Sequence, residues 1–284
     1  TRKNNMLMRK IKKVLKWLGA MLLVFVISFL GTAAANDSLS VDQILTGTRQ
    51  IVSLGENQVS NENSLSQGID AMESNSTLNR LERVFFLKQA VNARINSANY
   101  VKLQDIPESL QQAVVAVEDR KFYNHWGFDM EGIFRASLVN LQYGQVREGA
   151  STITQQLVKN LFLSQEQTMG RKAEEFVLAM DMELNYSKDE ILELYLNTIY
   201  FGSGYYGIKE ASEGYFGKEP AMLALPESAM LAGIPNAPSL YSPYVDFMLA
   251  KKRQFIVLDA MTAAGYLRES VADDAKIKPI YLAH

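Results

Sequence analysis

The stretch Ala116–Asp129, with the sequence AVEDRKFYNHWGFD, decides how the rest of the chain is interpreted. It places two carboxylates, Glu118 and Asp119, at the end of an apolar helical run and then turns through an aromatic residue, a histidine and a glycine. Leu110, Val114 and Glu118 are four residues apart, so Glu118 falls on the apolar side of its own helix. A carboxylate held there is partly desolvated, which raises its pKa and strengthens it as a base. A structural glutamate, paired with an arginine or a backbone N–H group, would give the same pattern.

A second polar cluster lies at the start of the predicted helix at residues 152–160. Ser151 is predicted to cap the segment Thr152–Asn160, in which apolar residues form one seam and a polar stripe runs beside it. A helix N-terminus with hydroxyl groups, and with Lys159 two turns further on, suits an oxyanion such as phosphate. An ordinary cap followed by a solvated face is the simpler alternative.

Helix signals dominate the rest of the chain, and strand signals are few. Asp105 and Glu108 form a capping-box pattern, as do Ser187 and Glu190. Arg171 and Glu175 are spaced for an exposed ion pair on one helix, which would be worth only a few tenths of a kcal/mol. Later helices are predicted to end near Gly217, to run from Pro226 to Gly233, and to run from Tyr244 to Ala264 as the last helix. The sequence therefore predicts a mainly α domain.

The N-terminal third has a different composition. Residues 1–16 carry seven cations and no acid, and are predicted to be a basic cytoplasmic tail. Residues 17–35 are uncharged and apolar and long enough to cross a bilayer as a transmembrane anchor, since roughly 20 residues are required. A cleaved secretory signal ending at 32–35 and a buried helix are the alternatives. Residues 36–99 form a predicted polar stalk or linker with helical segments, and residues 100–284 form the main domain.

Composition excludes several classes of site. The chain has no cysteine and only two histidines, so disulfides and a zinc centre are not expected. A catalytic metal would have to be held by carboxylates and substrate oxygens, as magnesium is. Outside residues 1–16 acids outnumber bases by 31 to 22, which argues against nucleic acid as a partner.

The order of these motifs resembles the peptidoglycan glycosyltransferase family, which includes the glycan-polymerising domain of class A penicillin-binding proteins. The resemblance runs from about Tyr100 to Leu267 in five blocks. These blocks are Glu118-Asp119 with Phe122, His125, Gly127 and Asp129; Gly149 with Ser151–Gln156 and Lys159-Asn160; Arg171-Lys172 with Glu175; Ile191–Asn197 continuing to Tyr215–Lys218; and Glu227, Ala229 and Leu231–Gly233 with Pro235 and Pro238.

The resemblance implies a lysozyme-like domain with a smaller membrane-facing lobe, expected at residues 127–149, behind a single transmembrane helix. It implies polymerisation of lipid II into β-1,4-linked glycan strands by an inverting transfer that releases undecaprenyl pyrophosphate. The implied location is the bacterial inner membrane, with the N-terminus cytoplasmic and the catalytic domain outside. The implied partners are lipid II, the growing strand, membrane lipid and other cell-wall synthesis proteins.

The resemblance also assigns roles to residues. Glu118 matches the general base and Glu175 the second catalytic carboxylate, which holds a divalent metal, Mg²⁺ or Mn²⁺, or orients the neighbouring cations. The residues that match substrate- and pyrophosphate-binding positions are Asp119, Phe122, His125, Ser151, Thr152, Gln156, Lys159, Asn160, Arg171 and Lys172.

Three positions depart from the family pattern. Ala150 replaces a usual glycine in a predicted flap, Gln167 stands where many members have an arginine, and Pro226 replaces a usual alanine. The chain contains neither Ser-x-x-Lys nor Lys-Thr-Gly, so we expect a monofunctional glycosyltransferase without a transpeptidase domain. A catalytically weak homologue that acts as a cell-wall scaffold, and a lysozyme-like muramidase, are the alternatives.

Overall fold

The computed structural model describes residues 87–132, 135, 151–163 and 169–283. The chain divides into two compact units, residues 1–85 with 167–173, and residues 86–166 with 174–284. The described residues form no β-strand and are mainly helical, as predicted. The helices are α1 Leu87–Asn92, α2 Glu108–Glu118, α3 Ile153–Phe162, α4 Met169–Asn185, α5 Lys188–Thr198, α6 Ile208–Phe216, α7 Leu225–Gly233, α8 Pro238–Tyr241, α9 Phe247–Ala263 and α10 Glu269–Ile277.

Helix α7 lies at the centre of the second unit. It packs against α2 and α9, which also pack against each other. Every residue of α7 after its first is buried, which explains its almost entirely small and apolar composition. The core of these three helices includes Val114, Leu231 and Val257, none of which is exposed. Burying each such side chain is worth about 1.5–3 kcal/mol, so the end of α2, where Glu118 lies, is held by packing.

Helix α2 begins differently from the prediction. The capping box at Asp105 and Glu108 is wrong, because Asp105 ends a 3-10 turn and Pro107 is the residue before the helix. Instead, the Gln111 side chain joins the helix to the preceding backbone, because its Nε2 donates to the carbonyls of Leu103 (3.0 Å) and Ile106 (2.8 Å). A local pattern at the helix start could not reveal a side chain that reaches back from the first turn.

Other helix ends agree more closely with the sequence. Ser187 and Glu190 form the predicted capping box at the start of α5. Gly217 ends α6 in the left-handed conformation, with φ 63°. Pro226 lies in the first turn of α7, where its missing N–H group is not needed, so this departure from the family pattern fits the helix.

The C-terminal region departs from the prediction. Helix α9 begins at Phe247 after the Asp246 cap, three residues later than expected. It is not the last helix, because α10 follows and packs against it through the buried Ala272 and Ala275. The short, polar α10 carries too weak an apolar stripe to be recognised without its partner.

Several predictions fall outside the described residues. These are the tail, the anchor at 17–35, nearly all of the stalk, the flap at 145–150 with Ala150, Gln167, and most of the predicted membrane-facing lobe. Among the helices that the structure does describe, none combines the length and the apolarity needed to cross a bilayer.

Candidate active site

A cleft of about 690 Å³ opens where the C-terminus of α2 faces the start of α3. Helix α4, the turn at Pro235-Asn236 and helix α9 complete its walls. Of the residues predicted from the sequence, it brings together Glu118, Asp119, Ser151, Thr152, Gln156, Lys159 and Glu175. These residues are distant in the chain. Side-chain hydrogen bonds join α3 to α2, from Gln156 to Glu118, and α3 to α4, from Thr154 to Glu183.

Glu118 is the last residue of α2, and its two carboxylate oxygens have different surroundings. Oε2 accepts a hydrogen bond of 2.8 Å from Gln156 Nε2. Oε1 is also buried but has no hydrogen-bond partner among the residues that the structure describes. A buried polar atom without a partner is costly, and in an enzyme cleft it points to a ligand donor.

The protein environment favours the protonated form of Glu118. Burial raises the pKa of the Glu118 carboxyl group, and the neighbouring Asp119 charge raises it further. The Gln156 hydrogen bond and the Arg253 charge lower the pKa, but they offset burial only in part. The result is a more basic carboxylate than an exposed glutamate, as a general base working near neutral pH requires.

Asp119 is bound almost entirely by the protein. His125 Nε2 lies 2.9 Å from both carboxylate oxygens of Asp119, and the backbone N–H of Ile153 donates to Oδ2 at 3.1 Å. Thr152 Oγ1 donates to the Gly127 carbonyl at 2.7 Å, in a turn that Gly127 makes with φ 76°. These bonds join the turn after α2 to the start of α3, so Asp119 and His125 set the shape of the cleft.

The same contacts change the interpretation of the α3 N-terminus. Thr152, not Ser151, is the cap, with a capping box to Gln155. Asp119 takes the Ile153 N–H group and Thr152 takes that of Gln155, so the protein's own groups satisfy donors that the sequence assigned to an oxyanion. The helix start therefore holds a protein carboxylate, and any phosphate in the cleft would have to be bound by side chains instead.

Cationic side chains line the cleft. Lys159 is half-buried on α3 and has no hydrogen-bond or ion-pair partner among the described residues. Lys121 is paired with Glu131. The cationic side chains of the lining are Arg120, Lys121, Arg135, Lys159 and Arg253.

Arg253 is the residue that sequence reasoning missed. Its Nε donates to the Gly233 carbonyl at 3.4 Å, and its guanidinium lies 5.5 Å from the centre of the Tyr241 ring. A side chain on Gly233 would meet the Arg253 stem, with Cβ only 2.8 Å from Cγ. The available signal was helical spacing, since Arg253 lies one turn from the buried Ala250 and Val257 in a lysine- and arginine-containing run.

The remaining predicted residues lie elsewhere. Phe122 is fully buried, with the Lys188 ammonium 4.5 Å from its ring centre, and it does not line the cleft. Asn160 is exposed on α3 outside the lining. Arg171 and Lys172 lie in the first turn of α4, in the part of that helix that groups with the first unit.

One carboxylate of the described residues, that of Glu175, is the candidate for binding a metal ion at the cleft. Among the described residues, no group of three or more histidine, cysteine, aspartate or glutamate side chains is arranged to hold a metal ion. Glu175, whose exposed fraction is 2%, brings one carboxylate to the cleft wall. A single carboxylate fits Mg²⁺ when substrate phosphates supply further ligands, which is a common arrangement.

Comparison with known proteins matches this part of the chain. A family model described as Transglycosylase matches residues 87–262. Penicillin-binding protein 1A of Neisseria gonorrhoeae is 50% identical over 176 residues, which is 62% of this chain and 22% of that protein. Penicillin-binding protein 1A of Aquifex aeolicus is 45% identical over 181 residues, 64% of this chain and 25% of that protein. The chain thus spans about a quarter or less of the length of the curated relatives it matches.

A solved structure, that of penicillin-binding protein 1A from Haemophilus influenzae, matches 65% of this chain and 18% of its own chain. The sequence identity is 26% and the TM-score is 0.39.

Proposed function

Because this chain belongs to the transglycosylase family, as the resemblance to peptidoglycan glycosyltransferases predicted, we propose that it polymerises lipid II into peptidoglycan glycan strands. The 4-hydroxyl oxygen of the acceptor sugar forms a bond to the anomeric carbon of the donor. The bond from that carbon to the lipid pyrophosphate breaks, and undecaprenyl pyrophosphate leaves with the electron pair. One displacement inverts an α-linked donor to a β-1,4 linkage, so no sugar–enzyme bond forms.

The unpartnered oxygen of Glu118 is the observation that carries this proposal. Oε1 is buried at the cleft and lacks a donor, while Gln156 holds Oε2. The acceptor 4-hydroxyl would supply that donor and then transfer its proton to Oε1 as the new bond forms. The raised pKa of Glu118 favours this transfer, because a more basic carboxylate takes the proton more readily.

Cations stabilise the leaving group. Negative charge builds up on the pyrophosphate as the anomeric bond breaks, so charges placed there stabilise the transition state more than the bound substrate. Lys159 and Arg253 line the cleft and are proposed to act there. Arg171 and Lys172 are proposed to act with them on the basis of the family resemblance.

Glu175 is proposed as the second carboxylate of the site. It would hold a divalent cation, Mg²⁺ or Mn²⁺, together with the substrate's pyrophosphate, or orient the neighbouring cations. When bound, such an ion would neutralise charge on the leaving group.

The proposal includes a location and partners. A substrate carried by a lipid is found at the bilayer surface, so we propose a bacterial inner-membrane protein with the catalytic domain outside. Residues 17–35 would be the single-pass anchor, and residues 1–16 would be cytoplasmic. The growing strand, membrane lipid and other cell-wall synthesis proteins would be its partners. Within this sequence we propose polymerisation without transpeptidation, because it contains neither Ser-x-x-Lys nor Lys-Thr-Gly.

Incubation of the purified protein with labelled lipid II and Mg²⁺ tests the proposal. Glu118→Gln should reduce polymerisation by at least about 10²-fold, the lower end of what a general base contributes. Glu213→Gln is the matched control, because Glu213 is half-exposed, pairs with Lys209 at the surface and is not among the residues that line the cleft. A parallel reaction without Mg²⁺ tests the cation.

The outcomes separate the alternatives. Glycan strands from the wild type and the control but not from Glu118→Gln support the proposal. Digestion of finished peptidoglycan would indicate a muramidase instead. A folded protein that is inert in both assays would indicate a scaffold.

A further inference from the structure

A buried tyrosine hydroxyl lies behind the proposed base. Tyr195 Oη donates to Gln156 Oε1 at 3.0 Å, and Gln156 Nε2 donates to Glu118 Oε2 at 2.8 Å. We propose that Tyr195 is a positioning residue, which fixes the orientation of the Gln156 amide so that its N–H group donates to Glu118 Oε2, stabilises the carboxylate form and leaves Oε1 to accept a proton. This inference rests on the proposed function for the role of Glu118, and the hydrogen-bond chain itself does not.

The Tyr195 hydroxyl has no alternative acceptor among the described residues. Its side chain is fully buried on α5, and its hydroxyl makes no other hydrogen bond among the described residues. Burial raises the pKa of Tyr195 well above its ordinary value, and the Glu118 and Asp119 charges add to this. The phenol therefore stays neutral and remains a donor at every pH at which the protein would work.

The Gln156 amide could be placed in two ways, and the phenol distinguishes them. In the observed orientation the Tyr195 hydroxyl donates to Gln156 Oε1, and the Gln156 amide donates to Glu118 Oε2. With the amide rotated by 180°, Oε1 would face Glu118 Oε2, and two acceptors can share that contact only if Glu118 is protonated. The Tyr195 hydroxyl hydrogen would then face an N–H group and lose its only acceptor. A buried donor left without an acceptor disfavours an arrangement by roughly tenfold or more.

This preference also decides where the proton goes. Gln156 Nε2 occupies Oε2 as a donor before the transfer and can continue to do so after it. The proton from the acceptor sugar is therefore directed to Oε1, the oxygen that lacks a partner. Glu118 can then become protonated without any rearrangement of Gln156 or Tyr195.

Other charged groups around Glu118 do not take part in the hydrogen bonds that run from Tyr195 through Gln156 to Glu118. Arg253 on α9 lowers the pKa of Glu118, and Asp119 raises it. The remaining charged groups that line the cleft are Arg120, Lys121, Asp129, Arg135, Lys159 and Glu175. Tyr195→Phe leaves all of them in place, so any change in the titration of Glu118 reports on the hydrogen-bond chain.

The test measures the titration of Glu118 directly and through activity. In Tyr195→Phe, the carboxyl ¹³C signal of Glu118, assigned by its absence in Glu118→Gln, should titrate about one pH unit higher than in the wild type. This corresponds to a tenfold change in the acid dissociation constant. In the pH profile of kcat/KM for lipid II, the acidic limb should shift to higher pH by the same amount. The activity should recover at high pH.

Tyr215→Phe is the matched control. Tyr215 is also a fully buried tyrosine, and its hydroxyl donates to the Phe201 carbonyl at 2.9 Å, away from the cleft lining. It should lower the melting temperature without moving the titration of Glu118. If Tyr195→Phe does not fold, Gln156→Met can be used instead. It removes the amide that donates to Glu118 Oε2 and should raise the pH at which Glu118 titrates in the same way.

The results separate the two proposals. An unchanged Glu118 titration in folded Tyr195→Phe, or in Gln156→Met, overturns the positioning role even if the wild type polymerises lipid II. A raised titration in a protein that is inert toward lipid II supports the hydrogen-bond chain and contradicts the proposed function. In the double variant, the shift should not exceed that of Gln156→Met, because both changes act on one contact.

Discussion

At the scale of single residues, Arg253 is a cation that affects Glu118 and also lines the cleft. Its guanidinium is held against the Gly233 carbonyl and the Tyr241 ring, so its position is fixed before any substrate binds. It lowers the pKa of Glu118, and it lines the same cleft as Lys159. Under the proposed function, this one charge would act both on Glu118 and on the pyrophosphate leaving group.

We expect Arg253→Ala to reduce kcat/KM for lipid II by about 10²–10³-fold, the effect of losing one fixed stabilising group. The acidic limb of its pH profile should also move upward, because a charge that lowers the pKa of Glu118 is gone. Arg253→Lys should recover the pH profile more fully than the rate, since an ammonium keeps the charge but not the planar fork. Steady-state assays across pH check this, and equal rates for all three proteins would contradict it.

Residue identities at the site were predictable only in part. Glu118, Lys159 and Glu175 were predicted from a family motif, and all three line the cleft. Asp119 and His125 belong to the same motif, yet they bind each other and the start of α3. Sequence spacing cannot distinguish a side chain that meets a ligand from one that positions its neighbour. Arg253 was missed because its neighbours in the cleft are contributed by other helices.

At the scale of helices, local signals predicted the caps that depend on neighbouring residues. The Ser187 cap of α5 needs only Glu190, three residues on, and was predicted correctly. The start of α2 depends instead on Gln111, which reaches back to Leu103 and Ile106. Helix α10 was missed because its stability comes from packing against α9.

Asn197, near the end of α5, binds the backbone of the segment that leads into α2. Its Oδ1 accepts from the Val101 N–H group at 2.7 Å, and its Nδ2 donates to the carbonyls of Val101 and Glu193, both at 2.8 Å. This amide therefore ties the segment that leads into α2 to the end of α5, which carries Tyr195.

We expect Asn197→Ala to lower the free energy of unfolding by about 2–4 kcal/mol, because it leaves two backbone groups of Val101 without their partner. Asn185→Ala is the control: Asn185 is exposed and bonds only within its own helix, to Asp181, so its effect should stay within about 0.5 kcal/mol. Urea denaturation of both variants decides the matter. Similar midpoints for the two would show that the link to Val101 contributes little.

At the scale of the whole molecule, the order of motifs was more informative than any motif alone. Glu118, Lys159 and Glu175 lie on three different helices, and the predicted fold class implied that they would meet. The contacts among them could not be predicted, because they depend on how α2 and α3 are joined by Asp119 and His125.

A carboxyl group whose pKa is raised by burial should destabilise the folded protein at neutral pH. The pKa of Glu118 is raised in the folded state above the value of 4.5 for an ordinary glutamate. Below about pH 4.5 both states are protonated and no penalty arises, and as the pH rises through the folded pKa the folded state loses stability. Glu118→Gln removes this loss. We therefore expect its melting temperature to exceed that of the wild type at about pH 7.5 and to converge with it near pH 4. Scanning calorimetry of both proteins across this range tests the expectation. If the difference in melting temperature between the two proteins were the same at every pH, the raised pKa of Glu118 would not destabilise the folded state.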